Sequence, residues 1–287
     1  MTDLAGRIRE QERAVDAVSG KNDGRAWFKL AVLCQDAARY RDSERAYRRA
    51  IALLKPGAQA PFAEALDHMG TMYMETNRLN KAESLERRAL AIREKRNDLL
   101  GIGLSHMHLA ALMLGKREHD SALSEADMAV SLLAPEQAHP AMQTAATPEE
   151  QMTALIDLSL ARCARQSCAS AVPSLKRALG IAHANYAANS IPVGMLDFLL
   201  GYGLWKSGDT TFAGEQMQRG TQELASQLGW GHPTYVRILR QYTAFLMQMG
   251  HTTEAEQVSA RIANLERSPE SAPKRPAEPG IGLLQIY

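Results

Sequence analysis

The segments RRAIAL at 48–53, RRALAI at 87–92 and KRALGI at 176–181 are near copies of one another, spaced tens of residues apart. A single catalytic site needs its motif only once, so this recurrence indicates a structural unit that is copied along the chain. Each copy contains a small residue, Ala50, Ala89 or Ala178, and the remaining units are located by their spacing from these residues.

Small residues recur at fixed offsets from these copies. The equivalent position of six successive units is held by Ala50, Ala89, Ala129, Ala178, Gly220 and, as an exception, Ile262. Seven residues before it stand Ser43, Ala82, Ala122, Ala171, Ala213 and Ala255. Nineteen residues before it stand Ala31, Gly70, Ala110, Ser159, Gly201 and Thr243. Two antiparallel helices approach to about 8–10 Å only where the side chains between them are short, so these positions predict closely packed helix pairs.

The spacing of apolar residues within a unit is also helical, as Leu66, Met69 and Tyr73 show. A polar or glycine-containing stretch then interrupts the pattern, for example TNRLN at 76–80 and KSGDTT at 206–211. Each unit is therefore predicted to be a hairpin of two helices.

These features resemble the tetratricopeptide repeat (TPR) family, whose signature is W-x2-L-G-x2-Y followed by A-x3-F-x2-A. The second unit comes close to it with Leu66, Met69, Gly70, Tyr73, Ala82 and Ala89. The segments AESLERRALAIREKRND at 82–98 and GHPTYVRILRQYTAFLMQMGHTTEAE at 231–256 resemble the longer repeats of the kinesin-light-chain type. The resemblance implies an all-α, right-handed α-solenoid of about six helix hairpins.

The array is predicted to occupy residues 24–266, and a helix before it is predicted to cap it. That helix, within residues 1–23, carries a narrow apolar stripe that suits covering the first repeat. The stripe consists of Leu4, Ile8, Val15 and Val18. The repeats are expected near 24–57, 63–96, 103–136, 152–185, 194–227 and 236–266.

Two segments interrupt or follow the array. The long interval between the third and fourth repeats is a predicted loop that ends in a capping box, with Thr147 as N-cap, Pro148 at the first helical position and Glu150 at the third. Residues 267–287 form a Pro-rich tail that is expected to be disordered and that ends in the apolar sequence GIGLLQIY. Whether this end docks into the repeats is left open.

Several positions depart from the family pattern. Asp197 and His106 stand where the first large residue belongs, Arg162 replaces the Tyr, and Glu86 and Ser259 replace the Phe. Glu86 also belongs to a stretch of alternating charges that includes Arg87, Arg88 and Arg93. We interpret that stretch as a solvated outer face.

Composition excludes several functions. With 33 Lys plus Arg and 32 Asp plus Glu, the net charge is +1, so neither nucleic acid nor a membrane is an expected partner. The chain shows neither a signal peptide nor an apolar run of about 18 residues. The three cysteines, Cys34, Cys163 and Cys168, are too few for a secreted disulfide framework, so a cytoplasmic location is predicted and buried thiols are expected.

No constellation of residues indicates catalysis. His106 and His108 point about 200° apart on a helix and cannot share a metal ion without a distant third ligand, so packing or solvation is the preferred interpretation. GxSxG, HExxH and Walker sequences are absent. The sequence therefore predicts no enzyme activity, no cofactor and no metal site.

The resemblance further implies a concave groove lined by the first helix of each hairpin. The residues at its groove positions are Phe28, Val32, Asp67, Thr71, Met74, Met107, Ile156, Phe198, Tyr202, Trp205, Arg237, Arg240 and Met247. The Lys and Asn residues with which some family members clamp the acidic tails of chaperones are missing from this set. Phe198, Tyr202 and Trp205 share one helical stripe and are either aromatic anchors for a partner or ordinary core.

The function predicted from the sequence is that of a non-enzymatic scaffold or adaptor that binds a peptide segment or helix of a partner protein in the groove. A regulatory sensor whose concave face binds a small ligand or a signalling peptide is the alternative. Self-association is left open, and the identity of the partner is not indicated by any motif.

Overall fold

The computed structural model describes residues 4–17, 22–54, 59–136, 146–165, 167–228 and 233–267. This part of the chain forms thirteen α-helices and contains no β-strand. The helices are α1 (Leu4–Asp16), α2 (Gly24–Asp36), α3 (Tyr40–Leu54), α4 (Gln59–Glu75), α5 (Leu79–Lys95), α6 (Leu99–Gly115), α7 (His119–Leu133), α8 (Pro148–Arg165), α9 (Cys168–Asn185), α10 (Ile191–Ser207), α11 (Thr210–Leu228), α12 (Pro233–Gln248) and α13 (Thr252–Arg267).

From α2 onward the helices pack as six consecutive hairpins. The small residues that recur in the sequence lie at the contact between the two helices of each pair: Ala50, Ala89, Ala129 and Ala178 are completely buried. In the fifth hairpin, a Cβ added at Gly220 would press against the backbone of Gly194 and Phe198. The all-α hairpin architecture predicted from the sequence is confirmed.

Most of the turns within hairpins share one backbone device. In the second hairpin, Asn77 has a φ of 56°, and the next amide, that of Arg78, donates to the carbonyl oxygen of Tyr73 at 2.8 Å. This is the left-handed arrangement that commonly ends a helix. The corresponding residues in other hairpins are Ala38, Arg117, Gly208 and Gly250, all with positive φ. In these five hairpins the chain therefore leaves the first helix in the same backbone conformation.

The first helices of the first four hairpins lie on the inner side of the array. Among the described residues, the backbones of α2 and α4, of α4 and α6, and of α6 and α8 approach one another more closely than those of any two second helices do. Elements that are closer together lie on the concave side of a curved solenoid. The side chains that α4, α6 and α8 turn toward one another therefore determine the character of this face.

Specific contacts position α1 on α2 and define the start of α8. α1 buries Ile8 and Val15 against α2, and the Gln11 amide donates to the carbonyl oxygen of Ala26 at 2.9 Å. At the start of α8, the Glu150 carboxylate accepts from the backbone N–H of Thr147 at 2.7 Å, and the Thr147 hydroxyl accepts from that of Glu150 at 3.2 Å. The predicted capping box is confirmed.

One expectation about the cysteines is wrong. Cys163 and Cys168 are joined as a disulfide between the end of α8 and the start of α9, whereas Cys34 is a buried free thiol. The sequence spacing allowed the two sulfurs to meet, but it gave no reason to prefer a bond over two buried thiols. Val18, part of the predicted stripe, and the predicted tail from residue 268 onward lie outside the described residues.

None of the helices in the described part of the chain combines the length and the apolar character needed to cross a membrane.

Candidate functional site

The predicted groove positions fall into three classes of exposure. Four are buried, between 4% and 7% exposed: Asp67, Met107, Phe198 and Trp205. Seven are partly buried: Phe28, Val32, Thr71, Met74, Ile156, Tyr202 and Arg237. Arg240 and Met247 are exposed. The expectation that all of these side chains line an accessible groove is therefore wrong for the four buried residues.

At the N-terminal end, aromatic and polar contacts connect the first two hairpins. The Phe28 ring meets His68 of α4 edge-on, with centroids 5.1 Å apart. The Tyr47 hydroxyl donates to Gln35 at 2.7 Å, and the Gln35 amide donates to Glu75 at 2.9 Å. These contacts join α2 to α3 within the first hairpin and to α4 of the second hairpin.

At the C-terminal end, Trp205 is the centre of an aromatic cluster between α10 and α12. Its ring lies 5.7 Å from Tyr202 and 5.7 Å from Phe245, in both cases edge-on. Its indole N–H donates to Gln248 at 3.2 Å, and the Lys206 ammonium lies 3.8 Å from the ring centroid. Trp205 thus joins the fifth hairpin to the sixth, which is the core role that the sequence left open for it.

Large apolar side chains are nevertheless exposed close to this cluster. Phe212 is 58% exposed, Met247 54% and Met249 37%. Phe212 lies in the opening turn of α11, Met247 lies in the last turn of α12, and Met249 directly follows α12. Trp205, near the end of α10, meets Phe245, near the end of α12, and α11 begins directly after the short turn that follows α10. These helix ends therefore lie at the same edge of the array. We call Phe212, Met247 and Met249 the C-terminal apolar edge.

A cluster of polar and charged side chains lies where α4, α5 and α6 meet, and all of them are buried except His108, whose side chain is 24% exposed. We call Asp67, Glu86, Arg93, Ser105 and His108 the buried polar cluster. The Arg93 guanidinium donates to the Asp67 carboxylate at 2.7 Å and to the Ser105 hydroxyl at 2.7 Å. The His108 Nδ1 lies 3.1 Å from Asp67 Oδ1 and 3.6 Å from Glu86 Oε2.

Burial and mutual charge shift the pKa values in this cluster in opposite directions. For Asp67, burial acts to raise the pKa, but the charges and hydrogen bonds of His108 and Arg93 outweigh it and hold the pKa well below its usual range. For Glu86, burial and then the Asp67 charge raise the pKa to about 7. For His108, burial acts to lower the pKa, but the Asp67 and Glu86 carboxylates raise it well above its usual value.

A further carboxyl group lies at the α8 side of the cluster. Asp157 is completely buried, and neither of its oxygens has a hydrogen-bond partner. Burial raises its pKa well above the usual value, and the His108 charge acts against that shift. Four helices, α4, α5, α6 and α8, therefore contribute ionisable groups to the interior of the second to fourth repeats.

The interpretation of the charged stretch around Arg88 as a solvated face is wrong for two of its members. Glu86 is completely buried and Arg93 is 7% exposed, whereas Arg87 and Arg88 face solvent. A signal for this was present in the sequence, since Glu86 occupies a position where the repeat pattern has a large aromatic residue. Gly70 lies directly against its carboxylate and provides the space.

The two adjacent histidines of α6 have separate carboxylate partners. His106 Nδ1 lies 2.6 Å from Glu125 on α7, in the same hairpin, whereas His108 faces α4 and α5. The prediction that the two histidines point away from one another is confirmed. The packing interpretation missed that His108 faces two carboxylates from other helices.

Comparison with known proteins bears on the fold. No protein-family model matches the chain, and no curated protein matches its sequence. Among solved structures, the apo form of RapI superposes with a TM-score of 0.68 at 13% identity, covering 93% of each chain. A Rap protein in complex with competence and sporulation factor gives 0.57 at 14% identity, covering 94% of this chain and 85% of that one.

A Podospora anserina protein, described as a kinesin light chain with nearly identical TPR-like repeats, also superposes. It gives a TM-score of 0.57 at 15% identity and covers 70% of this chain and 94% of that one. Similarity at such low identity shows the fold alone. The chain thus has the TPR-like helical-repeat fold that its sequence resembles.

Proposed function

We propose that this chain is a non-enzymatic protein–protein interaction scaffold that binds an apolar peptide segment or helix of a partner protein at its fifth and sixth repeats. The observation that carries the proposal is the C-terminal apolar edge, where Phe212, Met247 and Met249 are exposed within two adjacent hairpins. Isolated apolar side chains at a surface need no explanation, but a group of them at one edge is typical of an interaction surface.

Charge and shape around this edge support a partner with acidic residues beside its apolar ones. Lys206 and Arg240 are exposed on α10 and α12, the two first helices of these repeats. Tyr202 is partly buried in the predicted groove and packs against Trp205. An amphipathic segment could place apolar side chains on the edge and a carboxylate near the two basic residues.

The alternative is a regulatory sensor whose concave face binds a small ligand or a signalling peptide. The similarity to a Rap protein that was solved in complex with competence and sporulation factor favours it, because the shared fold extends over most of both chains. The predictions of a cytoplasmic location, of no enzyme activity and of no nucleic-acid or membrane partner remain predictions from the sequence.

The test compares two sets of substitutions in pull-down experiments from native lysate followed by mass spectrometry. The triple variant Phe212→Ser, Met247→Ser and Met249→Ser removes the apolar edge. The control Leu99→Ser with Met128→Ser removes two similarly exposed side chains from the third hairpin. We expect a reproducible partner that the wild type and the control retain and the triple variant loses.

Three results would contradict the proposal. A partner that the triple variant still binds would place the interaction elsewhere on the chain. A reproducible absence of any partner in the wild-type sample would argue against a scaffold. Binding of a purified small ligand on the concave face, unaffected by the triple substitution, would favour the sensor.

A further inference from the structure

Three side chains of the buried polar cluster bring metal-ligating atoms together from three helices. Asp67 comes from α4, Glu86 from α5 and His108 from α6, and one ligand atom of each lies within 4.8 Å of the others. A tetrahedral ion bound at about 2.1 Å sets its ligand atoms about 3.4 Å apart. The distances of 3.1 Å and 3.6 Å from His108 Nδ1 to the two carboxylates lie on either side of that value.

Glu86 provides a second, independent observation. Its side chain is completely buried, and neither carboxylate oxygen has a hydrogen-bond partner. Buried carboxyl groups are ordinarily hydrogen-bonded, paired or bound to a metal, because desolvation without compensation is unfavourable. The unsatisfied oxygens of Glu86 lie on the side where His108 and Asp67 converge.

The surrounding fold accommodates this carboxylate rather than a large apolar side chain. Gly70 on α4 lies against the Glu86 carboxylate, and a Cβ added at that position would collide with it. The close approach of α4 to α5 at Gly70 therefore fixes where the Glu86 oxygens can lie.

We propose that Asp67, Glu86 and His108 form a binding site for one divalent transition-metal ion of the zinc class. One imidazole and two carboxylates are ligand types that such ions accept, and three protein ligands leave a position for water. The ion would supply the short contact that the Glu86 oxygens lack, since His108 Nδ1 lies 3.6 Å from Glu86 Oε2. Since this site does not depend on the C-terminal apolar edge, it can be tested independently of the proposed function.

The charges of the neighbouring groups are compatible with a cation. Arg93 is the permanent positive charge of the cluster, and its guanidinium is directed to Asp67 Oδ1 and the Ser105 hydroxyl. Two carboxylates against one guanidinium leave a net negative charge once His108 and Glu86 have released their protons, as binding of a metal ion requires. The competing arrangement is a metal-free ion network in which a protonated His108 balances the second carboxylate.

A bound ion would connect two repeats. Asp67 and Glu86 belong to the second hairpin and His108 to the third, so the ion would cross-link them in the folded chain only. A ligand that binds the folded state stabilises it in proportion to the logarithm of its concentration over Kd. Metal binding should therefore raise the unfolding temperature of the array.

The experiment uses the full chain without a purification tag, treated with chelator and dialysed. Zinc sulfate alone is titrated by calorimetry, bound zinc is counted by elemental analysis, and cobalt(II) is added to a separate sample for its visible spectrum. The variants are Glu86→Gln, which keeps the shape of the side chain, and His108→Asn. The matched control is His106→Gln, on the same helix and also paired with a carboxylate.

We expect one zinc ion per wild-type or His106→Gln chain, and binding weakened at least tenfold in Glu86→Gln and His108→Asn. Cobalt should give the absorption bands of a low-symmetry, four- or five-coordinate site. Unchanged affinity in Glu86→Gln, or no binding by the wild type at about 100 µM zinc sulfate, would overturn the proposal and leave the metal-free ion network. The wild-type cobalt spectrum decides the question even where a variant does not fold.

Discussion

Arg93 of α5 and Asp67 of α4 form an ion pair inside the protein, with 2.7 Å between guanidinium nitrogen and carboxylate oxygen and both side chains less than one-tenth exposed. The pair connects the two helices of the second hairpin at the face that meets α6. A buried pair of this kind contributes little net stability against an apolar replacement of both partners, but the loss of one partner leaves the other charge uncompensated.

Replacement of Arg93 by Met should lower the free energy of unfolding by about 3 kcal/mol, because Asp67 remains buried with one positive neighbour fewer. Urea denaturation followed by circular dichroism measures this. The control is Arg87→Met on the same helix, where an exposed guanidinium pairs with Glu83 and the expected loss is below about 1 kcal/mol. Equal losses in the two variants would show that burial of the pair has no energetic consequence.

Replacement of Glu86 by Gln should change how stability depends on pH. Because burial and the Asp67 charge raise the pKa of Glu86 to about 7, the folded chain keeps a proton that the unfolded chain releases near pH 4.5. Wild-type stability should therefore fall as pH rises from about 4.5 to 7, whereas Gln has no proton to lose. The variant should gain up to about 3 kcal/mol relative to the wild type over this range.

This comparison is made by urea denaturation at several pH values in the presence of chelator. The raised pKa of His108 contributes stability that is present below about pH 6.5 and is lost only as pH rises through the folded value. The main Glu86 effect is therefore measured between pH 5 and 6.5. Parallel pH profiles for the two proteins would contradict the assigned pKa shift.

Alanine at two helical glycines should have effects of opposite sign. At Gly220 a methyl group would meet the Gly194 carbonyl oxygen and the Phe198 backbone nitrogen of α10, so Gly220→Ala should destabilise the chain by about 1–3 kcal/mol or more. At Gly180 nothing lies within 4 Å, and the gain in helix propensity should stabilise it by up to about 1 kcal/mol. Thermal denaturation of both variants tests this, and a stabilising Gly220→Ala would refute the close helix contact.

Trp205→Ala should lower the unfolding temperature strongly, because the substitution removes a 6% exposed ring that joins α10 to α12. The expected cost is about 3–5 kcal/mol. Met247→Ala, at a 54% exposed position of α12, should change stability by less than about 0.5 kcal/mol. A Trp205→Ala variant as stable as the wild type would restore the accessible-anchor interpretation of this residue.

The hairpin array could be predicted from the sequence because its signal is distributed over many residues. Small side chains at Ala50, Ala89 and Ala129 repeat a packing requirement, and every copy strengthens the inference. The capping box at Thr147 was predictable for a different reason, since it is a local interaction between residues three apart.

The side-chain environment of the site could be predicted only in part. The groove positions of the TPR family, whose usual repeat is shorter than the repeats of this chain, predicted that Phe198 and Trp205 line the groove. The close approach of α10 to its neighbours buries both rings instead. The buried polar cluster joins residues up to 41 positions apart, such as Asp67 and His108, and no local spacing reveals such a contact. Glu86 was the one indication of this cluster in the sequence, because it is a charged residue at a position where the repeat pattern has an aromatic one.

The capping contact of α1 has a consequence for assembly. An array that ends on a bare apolar face can add a second copy there, and repeated addition in one direction builds an open filament. α1 covers α2 with Ile8 and Val15 and turns Arg9, Glu10 and Arg13 to water. Head-to-tail growth over α1 would have to desolvate these charges, so α1 disfavours the addition of a second copy of this chain at that end of the array.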